Sequence, residues 1–225
     1  KLHHLPMIDP LSEALEAERN CLLAYKTGCR LHICHVSSLD TVRIVNYYKN
    51  LGANITIEVT PHQLTLCDMD IKNSNYKMNP PLSTPDVRDA LVEALRNGKI
   101  DCISTDHAPH TKEEKEADLL HAPFGIIGLE TAFPVLYTDL VKKGHLELKE
   151  LLILLNKKPA QIMKLKENKL EVGADANIVV VNLENEYEIT SDFFKSKATN
   201  SPYIGKKVYG RIEKTYYKGE AVYER

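Results

Sequence analysis

The sequence has 225 residues, of which 43% are hydrophobic and 27% are charged, and its formal net charge is −2. This length suits one large domain, or one domain with an appendage, and the composition is typical of a globular protein. The near balance of charge gives no indication of binding to nucleic acid or to an anionic membrane. No stretch approaches the roughly 18 apolar residues of a membrane-spanning helix, so no membrane association is predicted.

The five cysteines are an odd number and form no CxxC pair. This argues against a disulfide framework and predicts a reducing, cytoplasmic location. The first residues lack the apolar core of a signal peptide. The sequence begins with Lys1 rather than Met, so we expect that processing or truncation has removed residues that precede it.

Strands and helices are predicted to alternate through most of the chain. Four leucines at near-helical spacing predict a helix over 11–27, and Gly28 follows as a stop signal. The leucines are Leu11, Leu15, Leu22 and Leu23. The other predicted elements are strands at 30–36, 54–60 and 100–105, an extended piece at 76–82, and helices at about 37–52, 84–97, 128–143 and 147–156. Because this alternation is typical of βα units, we expect a parallel sheet or an α/β barrel.

After Gly173 the pattern changes to short β-type runs that are separated by glycine turns. The runs are 176–181, 187–189, 206–212 and 215–223. They predict an antiparallel β appendage. We therefore expect residues 1–168 to form the α/β portion and residues 169–225 to form the appendage.

Polar side chains stand at the carboxyl ends of the predicted strands. His35 ends the first strand, Glu58–His62 the second and Asp106–His110 the last. The extended piece at 76–82 counts as the third of four strands, and Asn79 stands at its end. Active sites of parallel α/β barrels form at this edge, and imidazole and carboxylate groups suit Zn²⁺. A zinc-bound water can ionise near neutral pH, and a nearby carboxylate can carry its proton.

Each of these residues also has a simpler explanation. A single histidine at a strand end is more often a hydrogen-bonded loop residue, and Asp106 could be a helix cap. The first strand is short enough that either face could point inward, so periodicity alone does not choose between His32 and His35. The combination of several strand ends, rather than any one residue, therefore predicts the metal site.

Five motifs occur in order along the chain, followed by a sixth in the tail. They are Leu31–Ser37 (LHICHVS), Glu58–His62 (EVTPH), Lys77–Leu82 (KMNPPL), Thr105–His110 (TDHAPH), Ala122–Thr131 (APFGIIGLET) and Val172–Val179 (VGADANIV). Together they resemble the bacterial type I dihydroorotases of the amidohydrolase superfamily. The resemblance covers nearly the whole chain, and TDHAPH with PFGIIGLET is its most specific part.

The resemblance implies an α/β fold in the form of a distorted (β/α)₈ TIM-type barrel with a small β-sandwich segment. It implies a hydrolase that interconverts dihydroorotate and N-carbamoyl-L-aspartate in pyrimidine biosynthesis, with one or two Zn²⁺ ions per site. It also implies a homo-oligomer and aspartate transcarbamoylase as a partner, with no nucleic-acid or membrane partner.

The resemblance further implies roles for individual residues. His35 and Asp106 are implied as zinc ligands, and Asp106 is also implied as the proton shuttle of catalysis. The implied substrate contacts are Asn79, His110 and the backbone at Phe124 and Gly125. Residues 111–121 are expected to be a mobile loop over the site, because the charged run within them is unsuited to burial and should order only with ligand.

The chain also departs from the family pattern. The family's first strand supplies an HxH pair followed by arginine, and neither this motif nor the family's bridging ligand is found here. We therefore expect the predicted strands to be the last four of eight, within a longer polypeptide or a two-chain barrel. Gln63 stands where the family often has a second histidine. Cys34 and Glu58 are interpreted as neighbours of the metal ligands rather than as ligands.

Two alternative functions follow from the same sequence. One is a dihydropyrimidinase or hydantoinase, although His110 and Asn79 favour a substrate that carries a carboxylate. The other is a metal-free, non-catalytic scaffold with an amidohydrolase fold, which the absent HxH motif favours. Turnover of dihydroorotate against dihydrouracil separates the two enzymes, and zinc content separates an enzyme from a scaffold.

Overall fold

The computed structural model describes residues 8–225. Its α-helices are α1 (Pro10–Thr27), α2 (Leu39–Asn50), α3 (Pro61–Thr65), α4 (Pro85–Arg96), α5 (Lys112–Glu116), α6 (Ala132–Leu136), α7 (Leu148–Leu152) and α8 (Lys158–Ile162). Its strands are β1 (Leu31–Ile33), β2 (Ile55–Val59), β3 (Cys102–Ile103), β4 (Ile178–Asn182), β5 (Tyr187–Glu188), β6 (Lys207–Val208), β7 (Arg211–Tyr217) and β8 (Glu220–Glu224). Within these residues, no helix combines the length and the apolar character needed to cross a bilayer.

The predicted elements are largely present, but several bounds differ. The strands predicted at 30–36 and 100–105 are shorter, as β1 and β3. The extended piece at 76–82 is not a strand: a short 3₁₀ turn at Ser74–Tyr76 leads into irregular backbone, where two prolines cannot donate ladder hydrogen bonds. The helix predicted at 147–156 is longer, because α7 continues through a π-helical turn at Ile153–Lys157 into α8.

Contacts between residues divide the chain into two compact units. One unit runs to Glu130 and also includes Phe194–Pro202, and the other comprises Thr131–Phe193 and Tyr203–Arg225. This division does not follow the predicted boundary between residues 168 and 169, which marks where helices give way to short β runs rather than where contacts end. The predicted boundary stays a prediction.

A parallel sheet in the order β1-β2-β3 forms the centre of the first unit. Leu31 pairs with Ile55, and Glu58 pairs with Cys102. Four of the five residues of β2 are buried, as expected for the central strand of a parallel sheet covered by helices. Because the strands are parallel, their carboxyl ends lie at one edge, and the residues that follow them are brought together there.

Helix α1 forms where the sequence predicts a helix, and its buried face consists of small residues rather than leucines. Asp9 caps the first turn, Pro10 occupies the first position, and Gly28 ends the helix in a left-handed conformation. The buried residues are small and recur every three or four positions: Ala14, Ala17, Cys21 and Ala24. The four predicted leucines are exposed instead. Small side chains allow α1 to pack closely against α2.

The second unit contains antiparallel β structure, as the glycine-punctuated tail predicts. One sheet has the order β4-β7-β8, and a separate pair joins β5 to β6. Asp139, from a π-helical turn at Tyr137–Val141, is buried and lies 2.7 Å from the ammonium groups of both Lys143 and Lys206. Two cations offset the cost of burying this one carboxylate.

Glu13 of α1 anchors the segment that leads from β1 into α2. Its carboxylate accepts hydrogen bonds from the amides of Ser37 and Ser38, at 3.1–3.2 Å, and from the Ser37 hydroxyl. We expect Glu13→Ala to lower the free energy of unfolding by about 2 kcal/mol, because buried donors lose their acceptor. Denaturant titration measures this. The control is Glu16→Ala on the exposed side of α1, for which the expected change is below about 0.5 kcal/mol. Equal losses for both variants would contradict the prediction.

Candidate active site

Side chains from the carboxyl ends of all three parallel strands converge at one edge of the sheet. Nδ1 of His35, after β1, lies 2.8 Å from Oε1 of Glu58 on β2. Nε2 of the same ring lies 3.4 Å from Oδ1 of Asp106, which follows β3. The structure thus brings together the strand-end residues that the sequence analysis selected, while their roles stay predictions.

The backbone is strained at two residues of this cluster, His35 and Asp106. His35 has φ of 56° and Asp106 has φ of 48°, in the left-handed region that side chains with a Cβ rarely adopt. Among residues 8–225, only two other non-glycine residues, Lys164 and Lys218, have positive φ. Such strain persists where the surrounding structure enforces it, and it is concentrated at functional sites.

The hydrogen bonds distinguish His32 from His35, which periodicity alone does not. Both ring nitrogens of His32 have partners, with Nδ1 2.7 Å from Thr56 Oγ1 and Nε2 3.0 Å from Glu58 Oε2. His35 Nδ1 lies beside Glu58 Oε1 at 2.8 Å, whereas Nε2 faces Asp106 at 3.4 Å, which is longer than an ordinary hydrogen bond. Nε2 is therefore the ring nitrogen of His35 that can bind a further group.

Glu58 is the charged centre of the cluster. It is 7% exposed, and burial alone would raise its pKa. The contacts with His32 and His35 outweigh burial and lower the pKa of Glu58 to about 2. In turn, the contact with Glu58 raises the pKa of His35 against the effect of burial, and the charge of Asp106 adds to this increase. The cluster therefore holds an ionised carboxylate at neutral pH.

The geometry of His35 and Asp106 fits a zinc ion. Their separation of 3.4 Å is longer than an ordinary hydrogen bond. Two ligands at about 2.0–2.1 Å from a tetrahedral zinc lie about 3.3–3.4 Å apart. A histidine that binds metal through one nitrogen commonly has a carboxylate beside the other, and Glu58 has this position. The donor set and its spacing therefore suit a metal held by His35 and Asp106.

A second group of ligand atoms overlaps this cluster. One ligand atom each from His32, Cys34 and Glu58 lies within 4.8 Å of the others, and such a group could also hold a metal ion. In the observed arrangement both His32 nitrogens are hydrogen-bonded, so a metal there would have to replace one of those bonds. The interpretation of Cys34 and Glu58 as neighbours of the ligands stays a prediction.

The predicted substrate contacts lie in the same unit, and we call them the rim: Asn79, His110 and the backbone at Phe124 and Gly125. His110 Nε2 lies 2.8 Å from the carbonyl oxygen of Phe124. The Gly125 amide donates to the carbonyl of Lys77 at 3.0 Å, two residues before the exposed Asn79. Gly125 has φ of 131°, and a Cβ there would lie 2.6 Å from Ala108 Cβ and 3.0 Å from His110 Nε2. Only glycine allows this approach.

Sequence reasoning missed two residues that hold this rim. Asn200 is buried; its side chain accepts from the His110 amide at 3.1 Å and donates to the carbonyls of Ala108 and Gly125 at 3.0 and 3.2 Å. No local signal predicts this, since Asn200 is about 90 positions away in the chain. The other is Lys115 of α5, which is 6% exposed. The expectation that the charged run is unsuited to burial is therefore wrong at Lys115.

Comparison with known proteins agrees with this architecture. The sequence matches the amidohydrolase family over residues 12–222. The chain belongs to the amidohydrolase family. It has an α/β amidohydrolase fold: the L-hydantoinase (dihydropyrimidinase) from Arthrobacter aurescens superposes with a TM-score of 0.86 at 30% identity, over 96% of this chain and 49% of that one.

The curated relatives are similar at the level of sequence. A dihydroorotase from Staphylococcus epidermidis is 48% identical over 98% of this chain and 52% of its own length. A dihydroorotase from Brevibacillus brevis is 48% identical over 99% of this chain and 53% of its own length. The chain therefore spans about half the length of the curated relatives it matches.

His62 of α3 is buried beside this amidohydrolase site and predicts a dependence of stability on pH. Its Nε2 has no hydrogen-bond partner, and burial, with the charge of His35, lowers its pKa to about 3. The unfolded chain takes up the proton near the ordinary value of about 6.5. The free energy of unfolding should therefore fall as pH decreases from about 6.5 towards 3, by about 1 kcal/mol per pH unit from this group.

Chemical unfolding of wild type and His62→Leu at several pH values tests this. The variant should lose stability less steeply below pH 6.5, while the control His145→Gln, at an exposed histidine, should follow wild type. Parallel curves for wild type and His62→Leu would show that His62 is protonated equally in both states.

Proposed function

We propose that this chain supplies part of the active site of a metal-dependent hydrolase that interconverts dihydroorotate and N-carbamoyl-L-aspartate. The observation that carries the proposal is the opposed pair His35 and Asp106, 3.4 Å apart in strained backbone at the carboxyl edge of a parallel sheet. The 48% identity to dihydroorotases supports the choice of substrate. The reaction would serve pyrimidine biosynthesis.

His35 and Asp106 would hold the metal, with Glu58 orienting the His35 ring. A zinc ion there would supply a water that ionises near neutral pH and would polarise the ring carbonyl of the substrate. Catalytic zinc sites have about three protein ligands, so at least one further ligand would complete this site. Whether one or two ions bind stays a prediction.

Asp106 would act as the proton carrier. Its carboxylate accepts a proton as water attacks the ring carbonyl and delivers it to the amide nitrogen as the ring opens. In the reverse direction it removes the proton from the carbamoyl nitrogen. The side chain is partly exposed at the edge of the sheet, which leaves it accessible to a substrate.

The rim residues would bind the carboxylate of the substrate. His110 Nε2 interacts with the Phe124 carbonyl, and Nδ1 lies 3.5 Å from Glu114 Oε2. A substrate carboxylate could take the place of Glu114 at Nδ1. Asn79 would add an amide donor, and the backbone at Phe124 and Gly125 would contact the ring. A histidine and an amide suit an anionic substrate.

A hydantoinase or dihydropyrimidinase is the second candidate, because the fold superposes closely on an L-hydantoinase. Turnover of dihydroorotate and of dihydrouracil, measured side by side, decides between them. A scaffold without metal is the third candidate, and the strained pair of His35 and Asp106 speaks against it, since a scaffold has no need of such strain. Zinc content of the active preparation tests this.

The larger architecture is also a proposal. We infer that β1–β3 and their helices belong to a (β/α)₈ barrel, because in the described part of the chain no further strand pairs with either edge of the sheet and the leucines of α1 are exposed. The sheet β4-β7-β8, with exposed Ile178, Val179 and Val180, would form one layer of the β-sandwich. Residues 1–168 and 169–225 would be the corresponding domains. A homo-oligomer, aspartate transcarbamoylase as a partner and a cytoplasmic location stay predictions.

Asp106→Asn should abolish turnover while leaving the fold intact. Asparagine can form hydrogen bonds but cannot hold a proton at neutral pH, so the turnover number for dihydroorotate should fall at least about 100-fold. The assay uses the enzyme as it is active in solution, with any further segment it needs. The control Asp40→Asn, at an exposed aspartate paired with Arg43, should keep wild-type activity. Activity within a few-fold of wild type for Asp106→Asn would remove Asp106 from the mechanism.

His110→Ala should weaken substrate binding more than catalysis. A contact between imidazole and carboxylate is worth roughly 1.5–3 kcal/mol, which corresponds to an increase in KM of at least about tenfold. The substrates to compare are dihydroorotate and dihydrouracil, which lacks the carboxylate. If both substrates lose affinity equally, His110 does not contact the carboxylate.

A further inference from the structure

Lys115 is a buried cation whose acceptors are main-chain carbonyl groups. It lies on the short helix α5 among exposed charged residues, yet only 6% of its surface is exposed. Its ammonium group lies 3.0 Å from the carbonyl oxygens of Pro123 and Gly125, and 3.3 Å from that of Lys77. An ammonium has three N–H donors, so these three acceptors satisfy it completely.

The three acceptors belong to the segments that form the proposed substrate rim. Lys77 lies two residues before Asn79. Pro123 and Gly125 flank Phe124, whose carbonyl oxygen interacts with His110. The Gly125 amide also donates to Lys77. Lys115 therefore joins segment 77–79 to segment 123–125 through one side chain.

The backbone of Lys115 is held in place by further hydrogen bonds. The Ser74 hydroxyl donates a hydrogen bond to the carbonyl of Lys115. The N-terminus of α5 is closed by a capping box, in which the Glu114 carboxylate accepts a hydrogen bond from the Thr111 amide and the Thr111 hydroxyl accepts one from the Glu114 amide. These bonds fix the backbone of α5 at Lys115. The Lys115 side chain is therefore directed towards the carbonyl groups of Lys77, Pro123 and Gly125.

We propose that Lys115 is a positioning residue for substrate binding, which holds Asn79, His110 and the Phe124–Gly125 backbone in the arrangement that contacts the substrate. This inference rests on the proposed function. Lys115 touches backbone rather than reacting atoms, so its effect passes through the rim. Because the metal-site residues His35 and Asp106 are not among its acceptors, affinity should depend on Lys115 more than the chemical step does.

The burial of the Lys115 ammonium depends on its three carbonyl acceptors. Removing an ammonium from water is costly unless all of its donors are satisfied. Burial lowers the pKa of Lys115 to about 8, and the charge of Lys77 acts in the same direction.

The test compares Lys115→Met with Lys112→Met. Methionine has a similar unbranched length but no donors, and Lys112 is an exposed lysine on the same helix, 3.5 Å from Glu116. Hydrogen exchange is followed at the Gly125 amide and through 111–127 without substrate. KM and the turnover number are measured with dihydroorotate on the enzyme as it is active in solution.

Lys115→Met should raise the exchange rate at Gly125 and the KM at least about tenfold each, since bonds to a charged group are lost. The turnover number should change less than about threefold, and Lys112→Met should match wild type. Unchanged exchange and KM, or a loss confined to the turnover number, overturns the inference. If Lys115→Met does not fold, Lys115→Gln replaces it: an intermediate KM supports the inference, and a wild-type KM overturns it.

The two proposals fail in different ways. If wild-type enzyme turns over no dihydroorotate, the proposed function is wrong, and the exchange measurement alone then decides whether Lys115 holds the rim. If wild type is active but Lys115→Met exchanges and binds as wild type does, only the role of Lys115 is wrong.

Discussion

The ionised carboxylate of Glu58 is the interaction on which the candidate site depends. It is buried on the central strand, where a charge without partners would cost several kcal/mol, and it is stabilised by His32 from one side and His35 from the other. The same contacts set the orientation of the His35 ring, with Nε2 facing Asp106. A structural requirement of the sheet, to satisfy one buried charge, thus also leaves Nε2 of His35 facing Asp106 at the edge of the sheet.

In this unit, strained backbone orients the side chains of the cluster, and hydrogen bonds to the backbone hold the rim. At His35 and Asp106 the chain adopts left-handed conformations that cost of order 1 kcal/mol or more each, and these turn two side chains towards each other. At the rim, the carbonyl of Gly125 accepts from both Lys115 and Asn200. Side chains from distant segments thus satisfy the buried carbonyl groups of the rim. The position of the main chain there depends on those side chains.

The surfaces left uncovered are as informative as the site. Among residues 8–225, no further strand pairs with the edges of the parallel sheet at β1 and β3, and the large residues of α1 are exposed whereas its alanines are buried. Open edges and apolar helix faces are normally covered in a stable protein. The dihydroorotase and the L-hydantoinase that the chain matches are about twice its length.

The sequence by itself determined the alternation of strands and helices and the end of α1 at Gly28, because these depend on local spacing and turn residues, and its resemblance to dihydroorotases implied His35 and Asp106 as metal ligands. It overestimated strand lengths, and it left the buried face of α1 open, since leucines and alanines share the same helical period and only packing decides between them. Periodicity also left His32 and His35 as alternatives, and their different contacts with Glu58, a residue from another strand, appear only in the tertiary structure. Only the tertiary structure revealed Asn200 and Lys115: their partners are carbonyl groups, which leave no trace in the pattern of side chains, and a lysine in a charged run becomes buried only when three such groups converge on it.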